Sequence, residues 1–150
     1  MSESAAQLTE SLLKMLQNET FVLLNTVDAE SGGPTSTAIS WVYAVDASTL
    51  RLAIDHRSRL VRNMKENPLV TLTVFGEETI HAINGSAVVK VDPLPEVPFE
   101  LCCFDVRISA VRNALFYGAQ LESPPKYAKV YDQRAADKLD GQVFAAMQKA

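Results

Sequence analysis

Two cysteines, Cys102 and Cys103, and two histidines, His56 and His81, are all that this 150-residue chain has of the commonest transition-metal ligands. They form no cluster with metal-ligand spacing, so no metal site is expected. The cysteines are adjacent, and neighbours on a strand point to opposite faces, which argues against a structural disulfide between them. No flanking positive charge lowers either thiol's pKa, so they read as a small core residue and a face residue. Neither histidine sits in a hydrolase-type motif, and nothing spells a nucleophilic triad. Positive charge is also short: 14 Lys and Arg against 18 Asp and Glu give a net charge of −4. That excludes a general nucleic-acid binder, which needs a basic face. No apolar run is long enough to span a bilayer. The N-terminus has no basic segment followed by an apolar core, so no signal peptide is visible and a cytoplasmic protein is expected. Repeats, low-complexity tracts and a second domain are absent too, leaving residues 1–150 as one domain with one core.

What is present is mostly strand pattern. Thr20–Val27 is a compact apolar run rich in β formers. Ser31-Gly32-Gly33-Pro34 makes a turn. Thr35–Val45 reads as one strand, and after Asp46-Ala47-Ser48 a third follows, so that the three resemble an antiparallel meander. Further strands are expected over about 69–76, 79–91 and 99–111, with Gly76-Glu77-Glu78 as a hairpin turn. Asn84-Gly85 inside the long strand implies a bulge or a close approach by another backbone. In the last strand Cys102, Phe104, Val106 and Ile108 share one face, and Cys103, Asp105, Arg107 and Ser109 the other. Helices are expected at both ends. One covers Ser4–Asn18, with Ser4 and Gln7 as a capping box and Leu8, Leu12, Met15 and Leu16 as its stripe. The other covers Asp132–Gln148, with Ala136, Leu139, Val143 and Met147 inward. Three prolines stiffen Asp92–Pro98, and Leu115–Pro125 reads as a surface excursion. About six strands with one short crossover helix favour a mainly β (α+β) fold, a small antiparallel barrel.

The chain is organised around Leu50–Pro68. Leu50-Arg51-Leu52-Ala53-Ile54-Asp55 alternates as a half-buried strand does. Leu60 to Glu66 has helical spacing and is stopped by Asn67-Pro68. The corner between them, His56-Arg57-Ser58-Arg59, offers two guanidinium groups, a hydroxyl and the free amides of a helix start, with Ser58 able to cap the helix. Such a set suits a phosphate; a solvated basic turn would carry the same residues. His56 reads as a turn residue within reach of that phosphate, and His81 as a hydrogen-bonded barrel histidine. Trp41 and Tyr43 are either core aromatics or aromatics beside a cofactor mouth.

The stretch from Leu50 to Met64 that closes on Asn67-Pro68-Leu69-Val70 resembles the pyridoxamine 5′-phosphate oxidase-like, FMN-binding split-barrel family. Gly33-Pro34-Thr35-Ser36-Thr37-Ala38-Ile39-Ser40-Trp41 is similar to that family's second strand. Ile83-Asn84-Gly85-Ser86-Ala87 with Val91-Asp92 is similar to its long fifth strand. The resemblance covers roughly Glu19 to Asp92. It implies a six-stranded split barrel acting as a homodimer with two FMN sites at the subunit interface. It also implies roles: Ser58 and Arg59 on the phosphate, Asn63 supporting them, Thr37, Ala38, Ile39 and Ser40 along the isoalloxazine, and Ala53 and Ile54 beside the ring or ribityl chain. Two departures stand out. Leu60 occupies a place where many relatives carry a second base, which leaves Arg57 or Arg62 to compensate. The plain helix from Arg134 to Ala150 lacks the Arg/His signature that holds substrate in true pyridoxamine phosphate oxidases. The expected function is an FMN-binding oxidoreductase of unknown substrate with little side-chain catalysis. The alternatives are a non-catalytic module holding haem, a deazaflavin or stored flavin, and a structural homodimer that has lost the cofactor.

Overall fold

The structure, a computed structural model, describes residues 4–76 and 78–150; Glu77 of the expected hairpin turn lies outside the described residues. Its elements in chain order are β1 (Ser4–Ala5), α1 (Glu10–Met15), β2 (Val22–Val27), β3 (Pro34–Ile39), β4 (Val42–Asp46), β5 (Thr49–Asp55), α2 (Arg59–Glu66), β6 (Leu69–Gly76), β7 (Thr79–Val91), β8 (Leu101–Asn113) and α3 (Gln133–Lys149). Seven strands form one sheet in the order β3-β2-β6-β7-β8-β5-β4, and the short β1 pairs with β8. Every ladder is antiparallel.

The strand count corrects the expected six. Thr35–Val45 is two strands, β3 and β4, interrupted at Ser40 and Trp41. These two strands are the opposite edges of the sheet. Ile39 and Val42 are three Cα steps apart, at most about 11 Å, so the sheet curls until its two edges meet at this link. The expected meander is therefore replaced by two hairpins, β2–β3 and β4–β5, that face each other across the seam. Ile39-Ser40-Trp41-Val42 carries no Gly, Pro, Asn or Asp to mark the break, so local signals do not reveal it.

Curling gives the sheet an inside and an outside. Leu50, Leu52 and Ile54 of β5 join Cys102, Phe104 and Val106 of β8 in the inner cluster, with Val22, Leu24, Leu72, Val74 and Ile83 from the other strands. Leu12 and Leu16 close one end of this cluster, and Leu60, Val61 and Met64 of α2 also pack into it. The alternate residues Ala53, Leu101 and Cys103 face outward and pack beneath Val143, Ala146 and Met147 of α3. The adjacent cysteines thus lie on opposite faces, as their spacing implied, and both are free; Cys103, expected as a face residue, is buried because α3 covers that face.

Helix α1 starts later than the capping-box pattern at Ser4 and Gln7 implied. Its cap is Thr9, whose side chain accepts from Leu12 N. Residues 4 and 5 are claimed instead by β8, through Ser4↔Arg112 and Ala5↔Val111. The glycine in β7 meets both expectations. The β7–β8 register shifts between Asn84 and Gly85, and a Cβ at Gly85 would lie 2.5 Å from the Arg107 carbonyl oxygen.

Candidate functional site

The seam that joins the sheet edges also opens the site. A groove of about 300 Å³ is lined by Thr37, Ile39, Ser40 and Trp41 from the β3–β4 link, Ala53, Ile54 and Asp55 from the end of β5, and Ser58 and Leu60 from the corner. Six of the ten residues singled out from the sequence meet here: Thr37, Ile39, Ser40, Ala53, Ile54 and Ser58. The floor is apolar and the rim carries hydroxyls. Ala38 lies on the other face of β3, where alternation puts it, paired with Leu23. Because β3 is the terminal strand of the sheet, half of its backbone amides and carbonyls point away from the ladder.

The corner is built by α2. Ser58 is the N-cap, and its hydroxyl oxygen accepts from Leu60 N at 3.2 Å. That leaves the hydroxyl proton to donate elsewhere. The first turn of α2 carries no acidic residue, so the positive end of the helix dipole is unopposed from within the helix.

The three remaining residues have different partners. Arg57 is held by Asp55: Nε donates to Oδ1 and Nη2 to Oδ2, each at 3.2 Å, and its backbone N–H donates to Oδ1 at 2.8 Å. The Arg57 side-chain hydrogen bond, then its backbone N–H, hold the Asp55 carboxyl below the usual carboxylate range. Arg59 has a looser partner, Asp28, with Nη1 3.9 Å from Oδ1. Asp28 is itself held below the usual range, first by the backbone N–H of Ser31, then by the Ser31 hydroxyl, with Arg59 adding a weaker attraction. Asn63 is buried beneath the corner. Its Nδ2 donates to Thr26 Oγ1 at 3.1 Å, and its Oδ1 accepts from Ala29 N at 2.9 Å. It therefore pins α2 to the end of β2 and to the turn that carries Asp28. Leu60 is buried in the inner cluster as well as lining the groove, a place that suits an apolar side chain better than a cation. His56 turns to the connector, with Nδ1 3.3 Å from Asp92 Oδ1.

The two carboxylates facing the arginines were not singled out from the sequence. Asp55 ends an alternating strand and Asp28 opens a turn, both unremarkable places for aspartate. The tether on Trp41 was hidden as well: its Nε1 donates to Asp140 Oδ1 at 2.9 Å, across most of the chain.

Residues 8–99, more than half of the chain, match the family model described as pyridoxamine 5′-phosphate oxidase. No curated protein matches the chain. Among solved structures, a Lactobacillus delbrueckii protein named as a candidate pyridoxamine 5′-phosphate oxidase superposes with a TM-score of 0.61 at 23% identity, covering 71% of this chain and 94% of that one. An F420 reductase gives 0.57 at 21% identity, covering 69% and 98%. HupZ of Group A Streptococcus gives 0.60 at 11% identity, covering 80% and 99%. At these identities the three structures speak for the fold alone. With the family model, the curled sheet and the groove at its seam taken together, the chain belongs to the pyridoxamine 5′-phosphate oxidase family.

Proposed function

We propose that the chain is an FMN-binding oxidoreductase that works as a homodimer, with the groove at the seam as its flavin site. The observation that carries this reading is the junction of an apolar groove with a capped helix start and an exposed arginine whose carboxylate partner among the described residues is 3.9 Å away. The residues fit the cofactor. Ser58 has a proton to donate, Arg59 has donors to spare, and the amides of the α2 start favour an anion. Ala53 and Ile54 offer an apolar bed for the ring or ribityl chain. Thr37, Ser40 and the free backbone edge of β3, Ala38 included, offer hydrogen bonds to polar ring atoms. Asn63 supports the phosphate end indirectly, by fixing the Asp28 turn against α2. FMN, when bound, supplies the redox chemistry, and the protein supplies position and electrostatics.

The dimer is supported by what the single chain leaves uncovered. Leu69 on β6 is 63% exposed and Val88 on β7 60% exposed, and β3 ends the sheet with an unpaired edge. A second copy would cover such surface. No helix among the described residues is long and apolar enough to cross a membrane.

The test is the visible spectrum of freshly purified protein, followed by titration with FMN and with riboflavin. A flavin spectrum, with FMN bound more tightly than riboflavin, is expected. A haem band or a deazaflavin spectrum would replace the cofactor, and a colourless protein that binds neither flavin would leave a structural homodimer. Sedimentation as a monomer at micromolar concentration would overturn the dimer.

A further inference from the structure

The irregular segment between β8 and α3 carries a chain of short polar contacts that ends at the groove. Lys129 Nζ donates to Glu19 Oε1 at 2.9 Å and to Asp140 Oδ2 at 2.7 Å. Tyr127 Oη donates to Glu19 Oε2 at 2.7 Å. The other oxygen of Asp140 accepts from Trp41 Nε1 at 2.9 Å. The charged side chains are well sheltered, at 21% exposure for Lys129, 32% for Glu19 and 16% for Asp140. Among the described residues Trp41 is the one aromatic lining the groove, and it also packs against the outer cluster under α3.

We propose that Lys129 is a positioning residue for the groove: it bridges Glu19 and Asp140 so that Asp140 holds the Trp41 indole as the groove wall against which a planar ligand ring lies. The chemistry favours this order of action. An indole N–H can only donate, so its orientation follows its acceptor. Asp140 has few other ways to be fixed: it sits on the first half of α3, whose backbone is already satisfied by the helix. Lys129 supplies the cation that keeps the half-buried carboxylate ionised and aimed. Glu19 precedes β2, so the bridge also ties the tail to the start of the barrel. The ligand part of this inference rests on the proposed flavin site; the tether itself does not.

Trp41 is the only tryptophan in the chain, so the protein's indole emission reports on this side chain alone. The experiment compares the full chain with Lys129→Met and Lys129→Arg, reading Trp41 emission, its quenching by acrylamide, and the affinities of riboflavin and FMN. Lys129→Met should shift the emission to longer wavelength and increase quenching, and should weaken riboflavin and FMN alike by about two- to tenfold, the worth of one aromatic contact. Lys129→Arg, which keeps the cation, should restore much of both. The equal effect on the two flavins separates ring positioning from phosphate binding, which only FMN reports. Unchanged emission and quenching in Lys129→Met would overturn the tether. Changed emission with unchanged riboflavin affinity would overturn the role of Trp41 as ring wall. If the wild type binds neither flavin, the cofactor reading fails on its own, and the emission and quenching still decide whether Lys129 holds Trp41. If Lys129→Met does not fold, Asp140→Asn, which keeps an acceptor for the indole but loses the ion pair, is read the same way.

Discussion

Arg51 and Arg59 stand in one short stretch of chain and have opposite surroundings. The Arg51 side chain is 7% exposed, and its fork is filled: Nε and Nη2 donate to the two oxygens of Asp105 at 2.7 and 3.1 Å, and Nη1 donates to the carbonyls of Met147 and Ala150, each at 2.9 Å. The Arg59 side chain is 67% exposed and faces one carboxylate at 3.9 Å. The difference comes from what lies outside each position. Helix α3 covers the outer face of β5, and its C-terminal carbonyls need donors; Arg51 fills them. At the corner the chain has left the sheet, and the guanidinium projects into solvent. A filled fork belongs to the fold, whereas an open one has donors left for a ligand.

The largest effect is expected of Arg51→Ala. It strands Asp105 beneath α3 and removes the donor from two helix-end carbonyls. Removing one partner of a buried pair costs about 3–5 kcal/mol, and the partial exposure of Asp105 puts the expected loss near the lower figure, about 3 kcal/mol. The urea midpoint should fall accordingly, while the FMN affinity of the remaining folded protein should hardly change. A variant with unaltered stability and lost FMN binding would reverse the roles assigned to the two arginines.

Arg51 also shows where sequence reading stops. Alternation in β5 is legible, and with it the inward face of Leu50, Leu52 and Ile54 and the opposed faces of Cys102 and Cys103, because both follow from a period of two. The glycine in β7 and the Ser58 cap are legible because each carries a local steric or hydrogen-bonding demand. Whether an outward residue meets water or a helix is not local. Arg51 and Arg59 look alike until Asp105 and α3, far along the chain, are placed over one of them. The same holds for the break at Ser40-Trp41, which follows from edge strands meeting, and for residues 4 and 5, where pairing with β8 outcompetes a plausible capping box. Trp41 shows it once more, since its acceptor arrives with α3.

Asn63, the residue beneath the corner, has both a stabilising and an indirect binding role. Asn63→Ala leaves Thr26 Oγ1 and the Ala29 N–H without their partner in a buried place, a loss of about 1–3 kcal/mol of stability. FMN affinity should fall only through loosening of the Asp28 turn, less than for a direct phosphate ligand. An FMN loss larger than that of Arg59→Ala would make Asn63 the ligand and Arg59 its support.

Arg59→Ala is the mirror image of Arg51→Ala. Its ion pair is exposed and long, so stability should be nearly unchanged. A charge-assisted hydrogen bond to phosphate is worth about 1.5–3 kcal/mol, so FMN should bind about one to two orders of magnitude more weakly. Riboflavin, which lacks the phosphate, should be insensitive. Arg57→Ala should weaken FMN less, because Asp55 already occupies the Arg57 fork on two sides. Equal FMN and riboflavin affinities in the wild type, or an unchanged FMN affinity in folded Arg59→Ala, would return the corner to a solvated turn.

The smallest effect expected is also the one of opposite sign. Asp55 lines the groove and holds Arg57, so its carboxylate both repels a phosphate and occupies a cation that could meet it. Acid cannot easily remove this charge. The Asp55 carboxyl is held below the usual range, chiefly by the Arg57 side chain, and a depressed folded pKa means that the pair is intact above the ordinary aspartate value of about 4. Its contribution to stability is lost only as the pH falls through the lower, folded value. Going from pH 7 to 5 therefore leaves Asp55 ionised, yet it protonates a phosphate monoester whose second pKa is about 6, so FMN should weaken over that range for a reason unrelated to Asp55. Asp55→Asn at fixed pH separates the two. The amide oxygen can still accept from the Arg57 backbone N–H, so the corner keeps its shape while the side chain of Arg57 is released. Because Asp55 is 44% exposed, the gain is screened by solvent: FMN should bind more tightly by no more than about fivefold, and riboflavin should be unchanged. Weaker FMN binding in folded Asp55→Asn would make the carboxylate part of the holder, through Arg57, and the open fork of Arg59 would no longer be sufficient to account for the phosphate site.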